Sequence, residues 1–206
     1  MVGQRSWPGC TAVRTCARSA FERDVHREEL RMIPARTPAT FSHIVLVTGA
    51  RTWDDEPTMR SVFRDVWRTW GAENIVKPLL LSGHCDKGAD AMAERLWRDA
   101  GFGILTFPAD WNGGGNGAGF HRNQRMVHAA QAFSDTGAEV RCTAFLDLCR
   151  RPSCPQRTNE QLLACGRRGH FSHGTVHCRS CAQAAGLQVI DAMPVGRVLR
   201  PGTRKV

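Results

Sequence analysis

From residue 43 the chain alternates between short apolar runs and stretches of helical spacing. His43-Ile44-Val45-Leu46-Val47 is continuous, apolar and β-branched, the pattern of a strand buried on both faces. Asp54 or Asp55 then supplies a helix cap, and Pro57 suits the first turn. Met59, Val62, Phe63, Val66, Trp67 and Trp70 recur at helical spacing until Gly71 stops them. The spacing next predicts a strand over 75–81, with Pro78 awkwardly inside it, and a helix over 88–100. Ala89, Met92, Ala93, Leu96 and Trp97 form the apolar face of that helix. A strand over 103–107, a glycine-rich loop over 112–119 and a helix over 120–133 follow. The pattern closes with a strand over 140–146, a helix over 173–185 and a strand over 187–190. Strand and helix through five cycles predict an α/β fold: a doubly wound, mainly parallel five-stranded sheet with helices on both faces.

Three segments fall outside this rhythm. Residues 1–40 are an Arg-rich N-terminal extension that holds Cys10 and Cys16, and within it Met32 would begin a more compact protein. Residues 147–172 interrupt the body at 41–192 and read as a Cys/His-rich insertion. Residues 193–206 form a basic tail, expected to be flexible.

Charge changes the picture less than its total suggests. The 206 residues carry a net +9, which invites a nucleic-acid reading. Residues 1–40 contribute +3 and residues 141–206 contribute +8, while the patterned stretch 41–140 totals −2. The basic residues are 25 Arg against 3 Lys, with no tyrosine, a skew that fits a GC-rich genome as well as phosphate contact. Nucleic acid is therefore the disfavoured partner. No run approaches the length of about 18 apolar residues that a membrane span needs. The N-terminus lacks an apolar signal region, so a cytoplasmic protein with reduced thiols is expected.

In open α/β sheets, ligands sit beyond the carboxyl ends of the strands, where helix N-termini converge. The distinctive residues of this chain fall there. Thr48-Gly49-Ala50-Arg51 follows the first strand, with Arg51 suited to a phosphate or carboxylate. Ser82-Gly83-His84-Cys85-Asp86-Lys87-Gly88-Ala89-Asp90 follows the second, with glycines and donors ahead of a helix as in an anion cradle. Ala109-Asp110-Trp111 follows the third, then Gly119-Phe120-His121-Arg122-Asn123, while His173-Gly174-Thr175 opens the last helix. Neither a GxGxxG fingerprint nor a Walker A lysine motif is present, which argues against an ordinary dinucleotide dehydrogenase or NTPase.

These blocks, in this order and over about 43–191, resemble the SLOG superfamily, and within it the YspA/YpsA-related branch of bacteria and their phages. The Gly88-Ala89-Asp90 and Arg122-Asn123 blocks are the most specific part of the likeness. The resemblance implies a Rossmann-like fold and a pocket for a nucleotide or nucleotide-derived ligand. Two departures stand out. His84-Cys85 interrupts the glycine-rich turn that related members carry after the second strand. Of the PGGxGTxxE signature of the cytokinin-riboside phosphoribohydrolases, His173-Gly174-Thr175 remains, and Cys178 stands at the glutamate position. A thiol does not replace a carboxylate as acid or base, so binding is favoured over that hydrolysis.

The expected function is thus a sensor or sequestering module for a nucleotide-derived small molecule, and related folds often dimerise. Arg51, Lys87 and Arg122 would neutralise phosphate. Thr48, Gly49, Ser82, Gly83, Gly88, Asn123, Gly174 and Thr175 would shape the cradle. Asp90 or Asp110 would accept from ribose hydroxyls, and Trp53 or Trp111 would stack on a base unless it is core. The alternatives are a hydrolase of an N-glycosidic or phosphate bond with Asp86, Asp90 or Asp110 as acid or base, and a DprA-like DNA-processing protein.

Cysteines and histidines crowd residues 149–181. Cys149 and Cys154, completed by Cys165 and by His170 or His173, have the ligand types of a structural zinc site. Zinc would give a short polar insertion the order that its few apolar residues cannot. It is the one cofactor the sequence suggests, against a reading of unliganded reduced thiols. Cys178 and Cys181 share a helix face and read as small core residues instead.

Overall fold

The computed structural model describes residues 41–150, 154 and 171–195. The expected extension, nearly all of the insertion and the end of the tail lie outside them. In chain order the elements are β1 (His43–Gly49), α1 (Glu56–Trp70), β2 (Leu79–Ser82), α2 (Ala89–Asp99) and β3 (Gly103–Thr106). Then come α3 (Trp111–Gly114), α4 (Ala118–Asp135), β4 (Glu139–Phe145), α5 (His173–Ala184) and β5 (Gln188–Ala192). Single 3-10 turns occupy Ala72–Asn74 and Gly115–Gly117.

The sheet runs β3-β2-β1-β4-β5 with every pairing parallel. β1 is central, and Leu46 pairs with Leu81 on one side and Cys142 on the other. A central strand has no solvent face, which is why its sequence is uniformly apolar rather than alternating. Val45 and Val47 face α1 and α2, packing on Phe63, Val66, Ala93 and Trp97. Ile44 and Leu46 face α4 and α5, packing on Met126, Ala130, Cys178 and Ala182. The chain therefore winds outward from β1 in both directions: α1 and α2 cover one face, α4 and α5 the other. The reversal falls between β1 and β4, the topological switch point of a Rossmann-like fold.

Two boundaries differ from the sequence expectation, each for a local reason. β2 begins at Leu79, not at residue 75, because Pro78 has no N–H for the ladder and Lys77 turns the chain with φ 48°. The glycine-rich stretch is not wholly a loop. Asp110 accepts from the backbone N–H groups of Asn112 and Gly113, nucleating the single turn of α3, and α4 starts as early as Ala118.

Candidate functional site

The switch point brings the ends of β1 and β4 together, and the starts of α2, α4 and α5 surround it. α1 and α3 are capped by the carboxylates of Asp55 and Asp110. α2, α4 and α5 have no side-chain cap. Their N-terminal dipoles are thus not neutralised by a capping side chain of their own.

Glycines let these parts meet. A Cβ at Gly49 would overlap that of Ala89 and lie 2.9 Å from that of Phe145, so β1 packs directly under the start of α2. Gly88, at φ 76°, presses against the Ala50 carbonyl and the Arg51 backbone, and Ala89 N–H donates to Ala50 O at 3.1 Å. The close approach at Gly49, Gly83 and Gly88 is therefore to the protein itself. Gly174 is different: among the described residues, nothing lies within 4 Å of where its Cβ would be.

Arg122 and Asn123 of α4 join the surrounding loops. The Arg122 guanidinium donates to the Gly83 carbonyl, to Asn123 Oδ1 at 2.9 Å, and lies 3.6 Å from Asp90 Oδ2. Asn123 Nδ2 donates to Gly174 O at 2.9 Å. The adjacent pair thus couples the β2–α2 turn to the start of α5. Asp90 is buried, and it also accepts from Cys85 N–H at 3.4 Å. Burial pushes the Asp90 carboxyl above its ordinary range, with Arg122 pulling it back only in part.

Behind the turn lies a network that the sequence did not reveal. Buried Glu94, one helical turn beyond Asp90, accepts from Ser82 Oγ at 2.7 Å and meets His84 Nδ1 at 3.0 Å. His84 adopts φ 54°, uncommon for a residue with a Cβ, and its N–H donates to Ser82 Oγ at 3.2 Å. The available signal was an acid at i+4 from Asp90, flanked by the apolar-face residues Ala93 and Leu96.

The rim is open and basic. Arg51 and Lys87 are exposed, and neither pairs with a carboxylate among the described residues. By contrast Arg60, Arg68, Arg95, Arg98, Arg141 and Arg179 each meet one. The Arg51 guanidinium lies 5.7 Å from the ring centre of Trp111, which is 55% exposed. Trp53 is core instead, 2% exposed with its ring 5.0 Å from Phe145.

The other expected residues divide clearly. Thr48 and Thr175 are buried at the switch point, and Thr175 Oγ1 has no hydrogen-bond partner among the described residues. Asp86 is exposed, while Asp110 is committed to capping α3. Cys178 is fully buried in the core, and burial pushes its thiol up to about 12. It supplies no ionised group near neutrality. Cys149, Cys154 and His173 are brought together, whereas Cys165 and His170 lie outside the described residues. Among the described residues, no helix is long and apolar enough to cross a membrane.

The profile of the YspA, cpYpsA-related SLOG family matches residues 43–114, from β1 through α3. The chain is also similar to the Gene 61 protein of Mycobacterium phage D29, at 34% identity over 154 residues, spanning 71% of this chain and 94% of that protein. No solved structure matches. A parallel sheet reversing between β1 and β4, the family profile over its first half and a phage relative matched almost end to end agree: the chain belongs to the YspA, cpYpsA-related SLOG family.

Proposed function

We propose that the protein binds a nucleotide-derived small molecule at the carboxyl ends of β1 and β2, as a sensor or sequestering module. Family membership suggests a nucleotide-related ligand-binding or processing role. The observation that carries the finer reading is the rim: two exposed cations without carboxylate partners among the described residues, Arg51 and Lys87, beside a half-exposed indole. Gly88 packs on the Arg51 backbone, so both cations border the start of α2, where anions are favoured. In this reading Arg51 and Lys87 hold phosphate, Trp111 stacks on the base, and Gly174 leaves room at the start of α5. Arg122, Asn123, Asp90, Ser82 and Gly83 set the turn that carries them.

Binding without turnover is favoured over hydrolysis because two of the three candidate carboxylates have other engagements, while Asp86 is exposed. Asp110 caps a helix, and Asp90 is buried against Arg122. A dedicated DNA surface is disfavoured by the net −2 of residues 41–140.

The test uses the full-length chain and thermal shift against nucleoside mono- and diphosphates, with inorganic phosphate as control. Native mass spectrometry of the purified protein reads any retained ligand. At least one nucleotide should raise Tm, and Arg51→Ala should abolish the rise while leaving the unliganded Tm unchanged. No shift across the panel and no retained ligand would overturn the reading. Nucleotide turnover abolished by Asp90→Asn would favour the hydrolase, and salt-sensitive retention on single-stranded DNA the DNA-processing alternative.

A further inference from the structure

We propose that Cys149, Cys154 and His173 bind a zinc ion that staples the base of the 151–170 insertion to the start of α5. Their ligand atoms lie within 4.8 Å of one another, and Cys154 Sγ is 3.2 Å from His173 Nε2. Zinc–sulfur bonds of about 2.3 Å and zinc–nitrogen bonds of about 2.0 Å put tetrahedral ligand atoms about 3.5–3.8 Å apart, so small side-chain adjustments close the site. Two thiolates with one imidazole are a soft donor set that selects zinc over magnesium or calcium. Of the sequence expectation this set keeps Cys149, Cys154 and His173, while Cys165 and His170 lie outside the described residues, and it stands apart from the proposed nucleotide reading.

The setting of these thiols differs from that of the other buried cysteines. Cys142 and Cys178 sit in the apolar core between the sheet and α4–α5. Cys149 and Cys154 are equally buried, but they lie beyond the end of β4, outside that core and next to an imidazole. Among the described residues, neither belongs to the apolar clusters between sheet and helices.

Topology supplies the role. Leu148 bridges Phe171 antiparallel, and Ser172 N–H donates to Asp147 O at 3.0 Å, so the two stems of the insertion already run side by side. Cys149 follows Leu148 on one stem and His173 follows Ser172 on the other; the stems are antiparallel, so the side chains rather than the ladder register bring their ligand atoms together. An ion between them locks the stem pair. Because His173 is the first residue of α5, the same ion fixes the backbone of Gly174 against Asn123.

The test measures zinc in the full-length chain purified without chelator. About one zinc per chain is expected, falling severalfold in Cys149→Ser, Cys154→Ser and His173→Ala but not in Cys181→Ser. Cobalt-substituted protein should show thiolate charge-transfer absorption that weakens in each cysteine variant. Far-UV circular dichroism of each variant separates loss of ligand from loss of fold, and a chelator should lower the wild-type Tm, with zinc but not magnesium restoring it. Zinc-free wild type whose Tm ignores added zinc would overturn the proposal. So would zinc retained at the wild-type level in all three variants, or a Cys149–Cys154 disulfide in place of the metal.

Discussion

Arg122 Nη1 lies 3.6 Å from Asp90 Oδ2, and both side chains are nearly closed off from solvent. The same guanidinium also donates to Gly83 O and Asn123 Oδ1, so one planar group ties the β2–α2 turn and the first turn of α2 to α4. Arg122→Ala would leave Asp90 buried without its counter-charge and should destabilise the chain by about 3 kcal/mol in urea unfolding. Arg122→Lys keeps the charge but loses the fork, and should recover only part of it. Burial already raises the Asp90 carboxyl above its ordinary 3.8, and removing Arg122 raises it further. A carboxyl raised in the fold favours the folded state below its unfolded value, and that contribution is lost as pH rises through the folded value. The deficit of Arg122→Ala should therefore be smallest in acid and grow with pH. A deficit independent of pH would show that Asp90 is not the group left exposed to the change.

The glycines at the switch point separate packing from ligand space. Gly49→Ala places a methyl against Ala89 and Phe145, both held by fixed elements, and should cost about 1–3 kcal/mol. Gly174→Ala meets nothing within 4 Å among the described residues, and its stability should stay within about 0.5 kcal/mol of wild type. Chemical denaturation of the two variants side by side checks the contrast.

The alternation of strands and helices was legible because burial on both faces makes each strand a continuous apolar run, as at Ile44–Val47. Helix ends were legible where the cap is local: Asp55 accepts from the Thr58 N–H only three residues on. What distance along the chain hides was not legible. Ser82, His84 and Glu94 meet across a turn and a helix, and no spacing rule links a hydroxyl to an acid twelve residues away. Arg122 reads from sequence as a phosphate ligand, yet its partners come from β2 and α2. Trp53 and Trp111 read alike, and only the sheet decides that Trp53 lies on Phe145 while Trp111 stands at the rim.

His43 gives a second pH signature far from the strand ends. It is buried at the start of β1, with its ring 4.8 Å from Trp70 and Nδ1 2.6 Å from Ser42 Oγ. Burial is the main cause holding its pKa below the ordinary 6.5; Glu139 opposes that shift and Arg141 adds to it. The unfolded chain then binds a proton that the folded chain refuses, so stability is full above about 6.5 and declines as pH falls below it. His43→Gln should flatten that decline. Stability measured from pH 8 to pH 5 for both proteins decides it, and parallel curves would remove His43 from the account.

Trp111 and Arg51 offer the sharpest probe of the proposed ligand, because neither supports the core. Trp111 is half-exposed on the one-turn helix α3, and Arg51 touches its ring without a carboxylate partner among the described residues. Base stacking on an exposed aromatic is worth about 1–3 kcal/mol, so Trp111→Ala should weaken nucleotide binding by about 5–150-fold with little change in unliganded Tm. Arg51→Ala removes the phosphate charge but also the cation above the indole. If the two side chains grip base and phosphate of one molecule, calorimetry on Arg51→Ala, Trp111→Ala and the double variant should show coupling, with the double loss differing from the sum of the single losses. Inorganic phosphate should discriminate between them, responding to Arg51→Ala and ignoring Trp111→Ala. Additive losses for the nucleotide would place base and phosphate on separate surfaces, and loss of phosphate binding in Trp111→Ala would reassign the indole to holding Arg51 in place.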